Sequence, residues 1–313
     1  MTRTALIIDC DPGVDDAIAL FLAFAAPERF ELLAVTTVAG NVEAELTARN
    51  ARLIRQIAGR QDVPVYVGAA APLVRPPIVA DHFHGESGLG RLAVFEPDAP
   101  AAQGEAAQAI VDLVMSRPPG AVSIAVMGPM TNLALAMRRE PALAGRLATV
   151  VAMGGARREG GNITASAEFN IYADPHAADE VFASGCRAVV LGLDATHQVR
   201  ATPERVARVR AIDTAAARTV AELLDFSVDT ERRFVGDDSP PMHDPCTIAW
   251  LLAPEAFTAV PVDLRVETTS PLTMGHTAVE FRLKDPAAAT VRWVTQVDAE
   301  AVFEVIFERL ARR

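Results

Sequence analysis

Residues 7–16 read Ile7-Ile8-Asp9-Cys10-Asp11-Pro12-Gly13-Val14-Asp15-Asp16, so four carboxylates fall within eight residues directly after an apolar run. Carboxylates crowded at the end of a buried strand repel one another and lose hydration, which only a cation or a dense set of donors makes tolerable. An all-oxygen donor set suits a hard ion, Ca²⁺ or Mg²⁺, better than zinc. A purely structural use, with Asp15 capping a helix and Asp9 as a hydrogen-bonded loop group, accounts for one or two of the four acids.

Three other segments carry side chains that can do chemistry. In Gly161-Asn162-Ile163-Thr164-Ala165-Ser166-Ala167-Glu168-Phe169-Asn170, the residues Asn162, Glu168 and Asn170 offer donors and acceptors suited to sugar hydroxyls. Glu168 and Asn170 share a face if the segment is extended, although an Asn-rich loop bonding its own backbone has the same composition. In Met242-His243-Asp244-Pro245-Cys246, Asp244 can be an N-cap with Pro245 at the first helical position, or a further oxygen ligand. His243 is a candidate proton donor with a pKa suited to neutral pH. The polar loop Asp81-His82-Phe83-His84-Gly85-Glu86-Ser87-Gly88 can border a pocket, with His84 on the substrate side; its two histidines lack a zinc-like partner set.

The elements that must hold these segments alternate. Residues 4–9 read as a buried strand, Pro12-Gly13 as a turn and residues 14–26 as an apolar helix. Further strands are expected at 32–38, 63–67, 122–127, 149–153, 188–191, 262–267 and 279–283. Helices are expected at 43–58, 106–116, 130–138, 175–184 and 203–224 with a break near Asp213, then from Pro245 through Trp250 to Leu252, and finally at 300–310. Such alternation predicts an α/β fold, a largely parallel open sheet flanked by helices. The acids then sit on a strand-to-helix loop at the C-terminal ends of the strands, where open α/β sheets bind ligands.

Length and composition limit what this machinery can serve. At 313 residues and 50% hydrophobic content, with no Gly-, Ser- or Pro-rich linker, the chain reads as a single domain over 1–313. The apolar run 17–26 is too short to span a bilayer, and neither a membrane span nor a signal peptide is expected. Three unpatterned cysteines, Cys10, Cys186 and Cys246, suit a reducing compartment, so a cytoplasmic location is expected. A net charge of −11 without a long basic cluster argues against nucleic acid polymers as partners.

Together the segments resemble the inosine-uridine-preferring nucleoside hydrolase family. The resemblance rests on Asp-x-Asp-Pro-Gly-x-Asp-Asp at 9–16, then in order Gly128-Pro129-Met130-Thr131-Asn132, Ala167-Glu168-Phe169-Asn170 and His243-Asp244-Pro245, and continues through Leu272-Thr273-Met274-Gly275. It implies hydrolysis of ribonucleosides to ribose and free base, as in nucleoside salvage, by a homodimer or homotetramer. It also implies a Ca²⁺ held by Asp11, Asp16, Asp244 and the backbone carbonyl of Met127, with water and two ribose hydroxyls completing the shell. On the same resemblance Asp11 is the general base and Asn41 orients the water. Asp15 holds a ribose hydroxyl, Glu168, Asn162 and Asn170 face the charge developing on the sugar, and His243 serves the leaving base.

One stretch departs from that pattern. Better-known members often carry base-lining tyrosines before His-Asp-Pro, whereas residues 225–242 contain none and instead offer Phe226, Phe234 and a mixed set of charges. At helical spacing such aromatics are more often core than site. Two other functions are compatible with parts of the chain. Asp9-x-Asp11 after a strand is similar to phosphatases of the haloacid dehalogenase type, but the lone lysine, Lys284, lies far along the chain from the motif. A Ca²⁺-dependent nucleoside or sugar binder without turnover would keep the pocket, though intact Asp11 and His243 argue for catalysis.

Overall fold

The computed structural model describes residues 3–312. Its strands are β1 (Thr4–Cys10), β2 (Phe30–Thr37), β3 (Val65–Tyr66), β4 (Val122–Val126), β5 (Leu147–Met153), β6 (Ala188–Leu191), β7 (Phe257–Val266), β8 (Thr277–Glu280) and β9 (Val291–Val297). They form one sheet in the order β3-β2-β1-β4-β5-β6-β9-β7-β8. Every pairing from β3 across to β9 is parallel, and only β7 against β9 and β8 runs antiparallel. The expected α/β architecture, largely parallel and flanked by helices, is therefore what the chain adopts.

Strand periodicity explains the two cores. Along β1, Leu6 and Ile8 face one layer, where the helices Val14–Phe24, Ala215–Phe234, Pro245–Leu252 and Ala299–Leu310 pack. Ala5 and Ile7 face the other, covered by Ala106–Met115, Thr131–Arg139 and Pro175–Ala183. A strand buried on both faces must read as an unbroken apolar run, as residues 5–8 and 124–126 do. The pattern 203–224 divides at Asp213 into Pro203–Arg210 and Ala215–Phe234, and the second helix runs ten residues past the expected end. Among the described residues no helix is long and apolar enough to cross a membrane.

One strand was not anticipated. β9 lies between β6 and β7 and pairs in parallel with β6, about a hundred residues earlier in the chain. Its Val291-Arg292-Trp293-Val294 alternates only loosely, because Trp293 and Val294 bury themselves on opposite faces. Trp293 is 1% exposed, and its ring fills the space where a side chain on Gly192 would stand. Glycine at that position is thus required by close approach of the indole, and the ring in turn supports the strand ends that open into the cleft.

The consequence is measurable. Trp293→Ala should cost about 3–5 kcal/mol of folding stability, seen as a lower midpoint of urea unfolding; an unchanged midpoint would mean the indole is not part of the supporting core.

Candidate active site

The floor of the cleft is assembled where the strand order reverses, beyond the carboxyl ends of β1, β2 and β4. Asp11 follows β1 directly and is fully buried. Its Oδ2 accepts the Asn41 backbone N–H at 2.8 Å, while its Oδ1 is buried without a protein partner. Side chains on Gly40 and Gly128 would overlap this carboxylate, so both loops pass it as bare backbone. Asp16, in the first turn of Val14–Phe24, accepts the N–H groups of Asp11 (3.1 Å) and Gly13 (3.0 Å) and the Asn41 side-chain amide (3.0 Å). Asn41 also donates to the Asp11 carbonyl at 3.1 Å, so one side chain fixes two acids.

Asp244 comes from the other end of the chain. It occupies the N-cap position of Pro245–Leu252, yet its side chain makes no capping hydrogen bond. The structural reading of Asp244 as a mere cap therefore fails. Carboxylate oxygens of Asp15, Asp16 and Asp244 lie within 4.8 Å of one another. The expected set had Asp11 where this trio has Asp15; Asp11 adjoins Asp16 through its backbone N–H, and its own Oδ1 has no protein partner. Met127, just past β4, receives the Asn170 amide on its carbonyl at 2.8 Å, which leaves a second lone pair on that oxygen.

Electrostatics agree with a missing positive charge. Burial first, and neighbouring acids second, push Asp11 and Asp244 well above the usual carboxylate range and Asp16 up to about 7. An orphaned buried oxygen, three converging carboxylates and an all-oxygen donor set together fit a hard divalent cation held by Asp11, Asp15, Asp16 and Asp244. Asp9 is different. Thr36 and Asn132 donate to its Oδ1 at 2.6 and 2.8 Å, and burial raises it to about 6. For Asp9 the plain structural reading holds: it ties β1 to β2 and to the Thr131–Arg139 helix.

Above the floor lies a cavity of about 610 Å³, a size that accommodates a nucleoside. Asp15, Asn41, Met127, Asn162, Glu168, Asn170, His84, His243 and Asp244 all border it, whereas the expected Asp11 and Asp16 are buried outside its lining. The segment around Glu168 is not extended, however. Glu168 caps the short helix Phe169–Ala173, accepting N–H groups from Gly155 (2.9 Å), Asn170 (2.9 Å) and Ile171 (3.2 Å). Its orientation relative to Asn170 follows from that cap rather than from strand alternation. Asn162 accepts the Phe169 N–H at 2.9 Å, so the Asn-rich loop does in part satisfy its own backbone.

Both histidines are held through Nδ1. The Val14 backbone N–H donates to His84 Nδ1 at 3.1 Å, which makes that nitrogen an acceptor and leaves the ring proton on Nε2. His243 Nδ1 pairs with the Thr196 hydroxyl at 2.8 Å. Burial pushes His243 down to about 4, so the expectation of a pKa near neutrality is corrected: at pH 7 the ring is uncharged. Thr196, His197, Arg200 and Glu231, which the sequence reading left out of the site, also stand here. Only Glu231 carried a signal, lying in the tyrosine-free stretch. Phe234, set aside as core, stands 46% exposed at the mouth, stacked on Phe83 with ring centroids 5.4 Å apart, while Phe226 packs against the core and the Arg91 side chain. Lys284 is exposed in a separate depression near β7, outside the lining of this cavity, so the lysine of a phosphatase arrangement is not found here.

A pocket bordered by carboxylates at the switch point of a largely parallel α/β sheet is where such folds bind small polar ligands, and its acids could hold a cation. Comparison with known proteins makes the class specific. The sequence profile of the inosine-uridine preferring nucleoside hydrolases matches residues 6–304. The chain is 40% identical over 310 residues to the inosine-uridine preferring nucleoside hydrolase of Crithidia fasciculata, covering 98% of this chain and 97% of that one. It is 43% identical over 309 residues to the pyrimidine-specific ribonucleoside hydrolase RihA of Salmonella gallinarum, with 97% of each covered. The structure of a purine-preferring ribonucleoside hydrolase from Gardnerella vaginalis superimposes with a TM-score of 0.92 at 31% identity, over 98% of both chains. The chain belongs to the inosine-uridine preferring nucleoside hydrolase family and is a hydrolase of ribonucleoside N-glycosyl bonds, giving base and ribose.

The raised carboxylates set a pH signature. In the unfolded chain these acids ionise near 4, whereas in the cation-free fold they ionise higher, Asp16 at about 7. The unfolded state therefore loses protons first, and the stability of the chelated protein falls as pH climbs from about 4 through 7. Added Ca²⁺ should offset this loss, so the Ca²⁺-induced rise in Tm over chelated protein should be larger at pH 8 than at pH 5. Equal shifts at the two pH values would count against these acids as the cation's holders.

Proposed function

We propose that the chain hydrolyses ribonucleosides with Ca²⁺ as cofactor, with Asp11 as general base and His243 serving the leaving base. The observation that carries this reading is the buried Asp11 oxygen without a partner, next to the converging carboxylates of Asp15, Asp16 and Asp244, of which Asp15 and Asp244 border a nucleoside-sized cavity. Asp11, Asp16, Asp244 and the Met127 carbonyl, with Asp15 beside them, would hold the ion. When bound, it supplies positive charge that lowers the pKa of water and anchors vicinal hydroxyls.

Each residue's part follows from its partners. Asp11 has Oδ2 occupied by the Asn41 N–H and Oδ1 free, so Oδ1 is the atom that takes the proton of the attacking water. Asn41 positions that carboxylate against Asp16 and so sets the direction of attack. As the glycosidic bond lengthens, positive charge grows on the ribose, and the carboxylates of Asp15 and Glu168 with the amide dipoles of Asn162 and Asn170 face it. Glu168 is rigid, because three backbone N–H groups hold it, so little reorganisation accompanies the charge change. His243 is a neutral ring at pH 7 and meets the departing base as an N–H donor through Nε2 when Thr196 donates to Nδ1. His84, with its proton on Nε2, offers a second donor along the same wall.

A binder without turnover would share the pocket, and two substitutions separate it from an enzyme. Asp11→Ala should lower ribose release from inosine and uridine by about 10²–10⁴-fold or more, and near-normal turnover would remove Asp11 from the base role. His243→Ala should slow natural nucleosides far more than a nitrophenyl riboside, whose leaving group needs no proton. Equal losses on both would contradict the donor role.

A further inference from the structure

The tyrosine-free stretch contributes a charged pair to the cavity wall. Glu231, near the end of the Ala215–Phe234 helix, has a side chain 8% exposed and borders the cavity together with Arg200. The guanidinium of Arg200 stands 3.3 Å from Glu231 Oε1 and 2.7 Å from Asp237 Oδ2. Both bonds leave from Nη2, so neither takes the other N–H groups of Arg200. The pair shares the cavity lining with His197 and His243, whose ring centroids are 5.7 Å apart. Among the acids bordering the cavity, Asp15 and Asp244 belong to the carboxylate cluster and Glu168 is held by backbone N–H groups, whereas Glu231 is paired with Arg200.

A half-buried ion pair on a ligand cavity leaves its spare lone pairs and N–H groups to be met by the ligand. A carboxylate offers two adjacent acceptors, Oε1 keeping a lone pair beyond the one Arg200 takes, and the neighbouring guanidinium offers a donor, so the pair can meet a ligand with acceptor, acceptor and donor. The complementary base edge is donor, donor, acceptor, which among common nucleobases is the amino, ring N–H and carbonyl edge of guanine. Hypoxanthine keeps the ring N–H and carbonyl. Cytosine and adenine would set a ring nitrogen lone pair against the carboxylate.

We propose that Arg200 and Glu231 read the base edge in this protein and select 6-oxopurine nucleosides, guanosine above inosine, over adenosine and cytidine. The assignment rests on the ribonucleoside hydrolase reading of the same cavity. It makes the pair a specificity device rather than a catalytic one, because neither side chain reaches the carboxylate floor.

The test compares kcat/KM for guanosine, inosine, adenosine and cytidine on the full chain with Ca²⁺, for the natural sequence and for Glu231→Gln, which keeps shape and helix. Guanosine and adenosine binding to both forms is measured by calorimetry. The natural protein should favour guanosine over adenosine and cytidine by about tenfold or more. Glu231→Gln should shrink the guanosine-to-adenosine ratio by about 10- to 100-fold, mainly through KM. No preference for guanosine in the natural protein, or a ratio unchanged in the variant, would overturn the assignment. If no nucleoside were hydrolysed, the enzyme reading would fall on its own, and the calorimetry would still decide: guanosine binding weakened by Glu231→Gln supports the pair, and equal binding refutes it.

Discussion

The structure depends on keeping Asp11, Asp16 and Asp244 together out of water. Each is almost wholly buried, and burial first, with repulsion from neighbouring acids including Asp15, raises all three. Left alone, such a cluster would open the fold or stay protonated. Two devices hold it in place. Backbone N–H groups of Asp11, Gly13 and Asn41 and the Asn41 amide occupy part of the oxygen surface, and the oxygens of Asp15, Asp16 and Asp244 lie close enough together that they could hold a cation. The site is thus a store of negative charge whose stability and chemistry are coupled.

The rest of the fold follows as support. Loops leaving β1, β2 and β4 reach the same point because the strand order reverses there, and Gly40 and Gly128 clear space for one carboxylate. Asp9 and Asn132 knit the strands just below the floor, Asn132 also donating to the Thr37 carbonyl at 2.9 Å. Above it the cavity changes character, from acids and amides at the sugar end to histidines, the Arg200–Glu231 pair and the Phe83–Phe234 stack at the mouth. The division matches a ligand with a polyhydroxyl end and a flat heterocyclic end.

Much of this was legible in the chain. The eight-residue acidic motif, the alternating elements and the break at Asp213 are local features, and local propensity and periodicity carry them. Glu168 was legible as a site residue but its environment was not: the segment coils into a helix start, so three N–H groups clasp the carboxylate. His243 was legible as a residue of the cavity, but its charge state was not, because burial pushes it down to about 4. Arg200 and Thr196 carried no signal, since nothing in their neighbours in sequence marks them as facing a cavity.

The sequence by itself determined the fold class, the identity of the acids and the family. Those rest on short-range spacing, apolar runs buried on both faces, and residue types with few alternative uses at that spacing. Only the tertiary structure decided that Asp244 leaves its capping duty free, that Asp15 joins the converging carboxylates, that β9 enters the middle of the sheet, and that Arg200 meets Glu231 on the cavity wall. Each of these joins residues tens to hundreds of positions apart, through distances and desolvation that exist only once the chain is packed.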